Sequence, residues 1–143
     1  MCPTCAAIIG ETSDVRIVNL LSIEEPDLKP ALRHMANDHD SIIARIGQML
    51  LDLLNHLEAD GNAPLVFAQI YCHEMWLSPA NQYNRAMVKI GVDWPDYGPL
   101  RDGLPAMHYR LQISRRVGGP SRDGRSRDIA EVKRLICEAF GWR

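Results

Sequence analysis

The chain has 143 residues, of which 46% are hydrophobic and 24% are charged, and its formal net charge is −2. These values are typical of one globular domain and exclude a collagen-like or an intrinsically disordered chain. No stretch approaches the roughly 18 consecutive apolar residues of a membrane span, and the N-terminus lacks the order of a secretion signal. We therefore expect a cytoplasmic protein with no membrane partner.

The first predicted elements are a loose N-terminal arm over residues 1–14 and a strand over 15–21, which is rich in β-branched and aliphatic residues. The arm contains Cys2 and Cys5, whose spacing is that of one half of a zinc knuckle. A second pair with this spacing is missing from the sequence. Three interpretations stay open: a zinc-binding module built on Cys2 and Cys5, a redox pair, and an arm that binds nothing.

The main predicted element is one long spine helix over about 27–59. Apolar residues and two histidines recur at steps of four and three from Leu28 to His56, which is the spacing of one helix face. The polar run 37–41 could instead cap a second helix and divide the element, but the unbroken spacing favours continuity. Few other segments remain to cover the first half of this helix, so we expect two copies to pair as a homodimer. The pairing residues would be Leu28, Leu32, Met35, His39 and Ile42.

Two shorter helices and a long loop are predicted next. Residues 64–77 contain no glycine and no proline after the first position, and a strand of that length would be unusual, so we expect a helix. Ser and Pro then provide the start of a helix over 79–90, and Gly91 provides its end. The loop 91–106 contains three glycines and three prolines and serves either as a binding lip or as a plug in the core.

The C-terminal part predicts one strand and one helix joined by a tether. Apolar and polar residues alternate strictly over 107–114, which indicates a half-buried strand. Residues 117–127 are polar, and we expect a flexible tether. A last helix over 128–140 is capped by Asp128. The fold predicted from these elements is a single α+β domain that is predominantly helical, with a spine, three shorter helices and a small antiparallel sheet.

Catalytic chemistry has little support in the sequence. It contains no nucleophile elbow, no phosphate-binding loop and no metalloprotease motif. The best acid-plus-cation pair is His108 with Arg110 on the outward face of the predicted strand, but many surface strands contain such residues. We therefore predict no catalytic residue and favour a protein that is not an enzyme.

The charge is distributed unevenly along the chain. Residues 1–71 contain 4 Lys/Arg against 10 Asp/Glu, whereas residues 72–143 contain 12 against 8. Arginine suits phosphate recognition, so the strand face and loop over 110–127 could follow a nucleic-acid backbone, although aromatic residues for base stacking are scarce there. The arginines concerned are Arg110, Arg115, Arg116, Arg122, Arg125 and Arg127.

The leading functional interpretation is a small, non-enzymatic interaction or regulatory protein that self-associates and acts through a protein-binding surface. The alternatives are a nucleic-acid-binding accessory protein that uses the arginines above, and a zinc-binding module. We expect no cofactor, and zinc at Cys2 and Cys5 is the one alternative considered.

Overall fold

The computed structural model describes residues 17–19, 24–59, 66–82, 85–93, 107–114 and 119–141. In these segments two helices pack on one face of a six-stranded sheet, and a third helix packs on one of those two. The helices are α1 (Lys29–Ala36), α2 (Ser41–Glu58) and α3 (Ile129–Phe140). The strands are β1 (Ile17–Asn19), β2 (Val66–Tyr71), β3 (Glu74–Ser78), β4 (Val88–Asp93), β5 (His108–Ser114) and β6 (Ser121–Ser126).

The sheet follows chain order from β1 to β6. β1 is parallel to β2 because the chain crosses over through α1 and α2 between them, whereas each later pair is antiparallel. The fold is therefore α+β, as expected. The prediction that it is predominantly helical is wrong, because β2, β3 and β4 lie where two helices were predicted. The small antiparallel sheet is also wrong, because the sheet has six strands and includes one parallel pair.

The long spine helix predicted over 27–59 is also wrong, since the polar run after α1 divides it. The Asp40 side chain accepts hydrogen bonds from the backbone N–H groups of Ile42 and Ile43 at 2.9 and 3.3 Å. Asp38 in turn accepts one from the backbone N–H of Asp40 at 2.8 Å. These bonds satisfy N–H groups that have no partner at the start of a helix, so a new helix begins here.

α1 folds back along α2 as an antiparallel partner. Near the start of α1, the Lys29 Nζ lies 3.4 Å from the Glu58 Oε1 at the end of α2. At the other end, a Cβ placed on Gly47 would lie 2.5 Å from the backbone nitrogen of Ala36, so the two backbones approach closely there. Both helices bury their apolar residues in the same core, which explains why the apolar spacing continues across the break.

The predicted helix over 64–77 is wrong because the chain turns in its middle and forms a β-hairpin. Cys72 and His73 link β2 to β3 with φ angles of 49° and 62°. A two-residue hairpin loop with positive φ at both positions matches the twist of its strands. Asn and Gly are the usual residues in such a turn, so Cys and His gave no signal of it.

The predicted helix over 79–90 is replaced by a loop and β4. The Ser78 hydroxyl lies within hydrogen-bond distance of the carbonyl oxygens of Ala80 and Arg85, at 2.9 and 3.1 Å, so it closes this loop instead of capping a helix. Gly91 continues β4 and does not end a helix. Alternate residues of β4 are buried in the core, as a half-covered strand requires.

Other predictions near the chain ends are confirmed. β5 occupies the predicted strand 107–114 and buries the expected alternate residues, and β1 lies inside the predicted strand 15–21. α3 begins after Asp128, whose side chain accepts a hydrogen bond from the Ala130 N–H at 3.0 Å. The tether expected over 117–127 instead contains β6, which is paired with β5. The arm 1–14 and most of the loop 91–106 lie outside the described residues.

Tyr109 links the sheet to the helical layer. Its hydroxyl donates a hydrogen bond of 2.7 Å to the carbonyl oxygen of Met49 in α2. Burial raises the pKa of Tyr109 to about 12, and the negative charge of Asp52 adds to this increase, whereas Arg45 opposes it. The phenol therefore stays protonated at neutral pH and keeps β5 fixed against α2.

Candidate binding surface on the helix-free face of the sheet

The second face of the sheet is covered by no helix among the described elements, and we call it the helix-free face. It consists of the side chains that alternate with the core residues in the strand register. Its central row comprises Gln69, Trp76, Lys89, Gln112 and Asp123, which are paired across β2 to β6. The side chains of this row are partly or fully exposed, so this face of the sheet can contact a ligand or a partner.

Trp76 is the aromatic centre of this face. The centroid of the Tyr71 ring lies 4.8 Å from that of the Trp76 ring. The Nζ of Lys89, on the neighbouring strand β4, lies 4.1 Å from the centroid of the Trp76 ring. The indole N–H donates a hydrogen bond of 3.0 Å to Glu74. Tyr71 is 53% exposed, and Trp76 is half-buried. The indole is thus held in one orientation by contacts on several sides while part of it stays accessible.

A network of ion pairs lies beside this aromatic centre. Arg110 on β5 reaches across β4 to pair with Glu74 on β3, and its other nitrogen lies 3.1 Å from Asp93. Arg125 on β6 approaches the same Asp93 carboxylate at 3.9 Å. The Asp93 side chain is only 14% exposed, so these two guanidinium groups provide the charge that compensates it.

Gly91 makes the reach of Arg110 possible. A Cβ at this position would lie 2.5 Å from the Arg110 Nη2 and 2.9 Å from the Glu74 Oε2. Any larger residue would therefore displace the guanidinium from the space above β4. The ion-pair network therefore requires a residue without a side chain at position 91, although this position lies in a strand and not in a turn.

His108 and Arg110, the acid-plus-cation pair considered in the sequence, both lie on the helix-free face. The guanidinium of Arg110 is engaged by Glu74 and Asp93, so it is not available to bind a substrate anion. The Nε2 of His108, which lies opposite Asp93, is buried without a hydrogen-bond partner among the described residues. The arrangement holds the charges of Arg110, Glu74 and Asp93 in place.

A depression of about 340 Å³ lies beside Trp76, on the side away from the ion pairs of Arg110. It is situated between the β3–β4 loop and the start of β6. Its lining is made of Trp76, Ala86, Met87, Lys89, Gln112, Ser114, Gly119 and Ser121. Lys89 is the one charged residue in the part of this lining that the structure describes. The described surface therefore combines an aromatic wall, hydroxyl and amide groups, and a single cation.

The residues predicted to form a dimer seam do not make a common exposed surface. Leu28 and Leu32 are 2% and 0% exposed in the core of one chain, and Met35 and Ile42 pack against that core. His39 is exposed in the loop between α1 and α2. The predicted pairing of two copies depended on an exposed apolar face. These residues do not form such a face in the structure.

The predicted arginine surface is divided in a similar way. Arg122 lies 3.7 Å from Glu138 on the helical side of the sheet, while Arg127 is exposed after β6. Arg110 and Arg125 pair with Asp93, as described above. Two further candidates, Arg115 and Arg116, lie outside the described residues. The arginines that the structure describes are thus largely balanced by carboxylates and do not form one basic surface.

The predicted metal site falls outside the described residues, because Cys2 and Cys5 belong to the segment that precedes β1. Within the described segments, no group of three His, Cys, Asp or Glu side chains is placed to hold a metal ion. The same segments contain no helix of the length and apolarity needed to cross a membrane.

The sequence analysis missed Trp76, Lys89 and Gly91 as members of a surface. Trp76 and Lys89 lie in two different segments predicted to be helical, and Gly91 was predicted to end the second of these helices, so no common face was expected. One signal was present, since Val88, Ile90 and Val92 alternate as strand residues do.

Comparison with known proteins gives no match for this chain among protein-family models, curated proteins or solved structures.

Proposed function

We propose that this chain is a small, non-enzymatic interaction protein that contacts a protein partner through the helix-free face. The observation that carries the proposal is Trp76, a large aromatic side chain held on the side of the sheet opposite the core. Tyr71 lies beside it, and Arg110 pairs with Glu74, which accepts the hydrogen bond from its indole. Trp, Tyr and Arg are the residue types that contribute most to binding energy in protein interfaces.

The rigidity of this face supports the same conclusion. Trp76 is restrained by Glu74, Tyr71 and Lys89, and Glu74 is restrained in turn by Arg110. Side chains that are already ordered lose less conformational entropy when a partner binds. The contacts therefore reduce the cost of forming an interface at this face.

The charge of the face favours a protein over a nucleic acid. Among the residues that the structure describes on this face, the basic side chains are Lys89, Arg110 and Arg125, and they are matched in number by Glu74, Asp93 and Asp123. Binding to a nucleic-acid backbone depends on excess positive charge. A surface with balanced charges suits a protein partner, in which both signs occur.

The proposal can be tested by affinity capture from the native host with three forms of the protein. These are the wild type, the double variant Tyr71→Ser/Trp76→Ser, and the control Arg134→Ser on the solvent side of α3. Circular dichroism and the unfolding transition confirm that each variant is folded. An untagged copy of the chain is added, because a homodimer would also be captured if it used this face.

A partner that uses the helix-free face is recovered with the wild type and with Arg134→Ser but is lost with the double variant. With the purified partner, the double variant should bind at least about 30-fold more weakly, which corresponds to roughly 2 kcal/mol for the loss of an interface hot spot. Recovery of the same proteins with all three forms would overturn the proposal.

A further inference from the structure

We infer that the depression beside Trp76 binds a carboxylate group that is attached to a small apolar or aromatic group. The carboxylate can belong to a free small molecule or to a peptide segment of a partner. In the second form the inference rests on the proposed function, since the peptide would belong to the protein that contacts the helix-free face.

The charge of the depression indicates an anion. Lys89 is the one ionised side chain among the described lining residues, and its ammonium group lies against the Trp76 ring. A contact with an aromatic face leaves the positive charge of a lysine in place. Glu74, the carboxylate that bonds to the same indole, is itself held by Arg110. The ammonium group of Lys89 therefore remains available for an anionic ligand.

The hydrogen-bonding groups of the lining also suit an acceptor. Ser114 and Ser121 lie opposite each other on β5 and β6. The Ser121 hydroxyl oxygen accepts a hydrogen bond of 3.1 Å from the side-chain amide of Gln112, so its own hydrogen is free to be donated. An ionised carboxylate accepts hydrogen bonds and donates none, which matches a lining of ammonium and hydroxyl donors.

The remaining walls and the volume define what accompanies the carboxylate. Met87, Ala86 and Trp76 provide apolar surface, and about 340 Å³ is enough for a ring or a branched aliphatic group. The single lysine among the described lining residues matches the single charge of a carboxylate better than the double charge of a phosphate monoester. The arginine fork that commonly binds phosphate in two places is absent from the described lining.

A titration followed by NMR tests this inference on the intact protein. The indole N–H signal of Trp76 is identified as the one that is lost in Trp76→Phe, and it is then followed as benzoate or its neutral analogue benzamide is added. We expect benzoate to bind with a Kd on the order of 1 mM, because small ligands make few contacts. Benzamide should bind at least about tenfold more weakly, because it lacks the charge.

Two lysine variants supply the matched comparison. Lys89→Gln keeps the length of the side chain and removes its charge, and it should weaken benzoate binding by about tenfold. Lys133→Gln makes the same change on α3 and should leave benzoate binding unchanged. Ser121→Ala, on the edge strand, serves as a second variant of the site and should weaken binding by a few-fold.

Equal binding of benzoate and benzamide would overturn the inference, as would unchanged benzoate binding by Lys89→Gln. So would the lack of any saturable shift at about ten times the expected Kd. Acetyl-leucine and acetyl-leucinamide then separate the two sources. Preference for the free acid over the amide, with an affinity above that of benzoate, identifies a peptide carboxylate, whereas binding of benzoate alone identifies a small molecule.

The failure of this inference can be distinguished from the failure of the proposed function. A protein partner that requires Trp76, together with benzoate binding that Lys89→Gln leaves unchanged, leaves the proposed function intact and overturns the carboxylate site. Saturable benzoate binding that depends on Lys89, without any partner that depends on Trp76, overturns the proposed function alone.

Discussion

Replacement of Gly47 by alanine tests whether α1 folds back on α2, because the two possible arrangements predict opposite signs. In a continuous helix, a Gly→Ala change raises stability by about 1 kcal/mol through helix propensity. In the observed fold, the new Cβ would lie 2.5 Å from the backbone nitrogen of Ala36 and 2.8 Å from the carbonyl carbon of Met35.

The size of the effect follows from these contacts. Non-bonded carbon atoms prefer a separation of about 3.5 to 4.0 Å, so α1 would have to move by roughly 1 Å. Inserting a methyl group into a packed region costs about 1 to 3 kcal/mol. The upper end applies because the obstructing atoms belong to the backbone and because Leu28 and Leu32 would lose core contacts as α1 moved. After the gain in helix propensity, we expect a net loss of about 1 to 2 kcal/mol.

Urea unfolding followed by far-UV circular dichroism measures the change in the free energy of unfolding. Gly124→Ala on β6 is the matched control, since its Cβ would lie 3.6 Å from a Leu135 methyl group, which is an ordinary contact. We expect the control to change stability by less than about 0.5 kcal/mol. An increase in the stability of Gly47→Ala would show that α1 does not pack on α2 as described.

Three further predictions concern single contacts. Asp40→Ala should lower the free energy of unfolding by about 1 kcal/mol. Asp40→Asn should lower it much less, because the asparagine side chain can still accept the capping hydrogen bonds. Equal decreases for the two variants in urea unfolding would argue against the cap. Tyr109→Phe should lose about 1 kcal/mol at pH 8 through its missing hydrogen bond. Because the pKa of Tyr109 is raised from 10.0 to about 12, the folded state holds this proton more tightly than the unfolded state, so the contribution is complete below pH 10 and is lost as the pH rises to 12. A wild-type advantage over Tyr109→Phe that stayed constant across this range would contradict that assignment. Gly91→Ala should displace Arg110 from Glu74, which would be visible as shifts of the Arg110 side-chain NMR signals. The free energy of unfolding should decrease by less than about 1 kcal/mol, because this ion pair is partly exposed. Unchanged Arg110 signals would contradict the close approach of its guanidinium to Gly91.

The elements that could be predicted from the sequence are those whose pattern is local and complete. β5 has one buried and one partly exposed face, so its strict alternation over 107–114 identifies it without knowledge of its neighbours. α3 has a capping aspartate, an apolar stripe and Gly141 in a left-handed conformation at its end. In both cases the local preference and the tertiary structure agree.

The elements that could not be predicted depend on contacts between distant residues. The apolar spacing from Leu28 to His56 persists because two helices face one core, and the period alone cannot distinguish this from a single helix. The turn at Cys72 and His73 lacks the residues that usually signal a hairpin. Without such a signal the segment 64–77 had the length expected of a helix, whereas its described residues form β2, a two-residue turn and most of β3.

The candidate site was hidden for the same reason. Its members come from the five strands β2 to β6, and three of those strands, β2, β3 and β4, were assigned to helices, so their common face could not be recognised. Arg110 was selected for its charge, but its reach over Gly91 to Glu74 is visible only when β3, β4 and β5 are side by side. Sequence reasoning thus found a basic residue and missed the acidic residues that balance it.

The hairpin tip at Cys72 and His73 offers a position at which the protein can be made more stable by engineering. Both residues have a left-handed backbone, which costs roughly 1 kcal/mol or more for each residue with a Cβ. The changes Cys72→Asn and His73→Gly would relieve that cost and would remove an exposed thiol that is open to oxidation. Neither side chain belongs to the core, so the two substitutions should leave the fold unchanged. Changes in this two-residue loop would then give a more stable protein for binding studies.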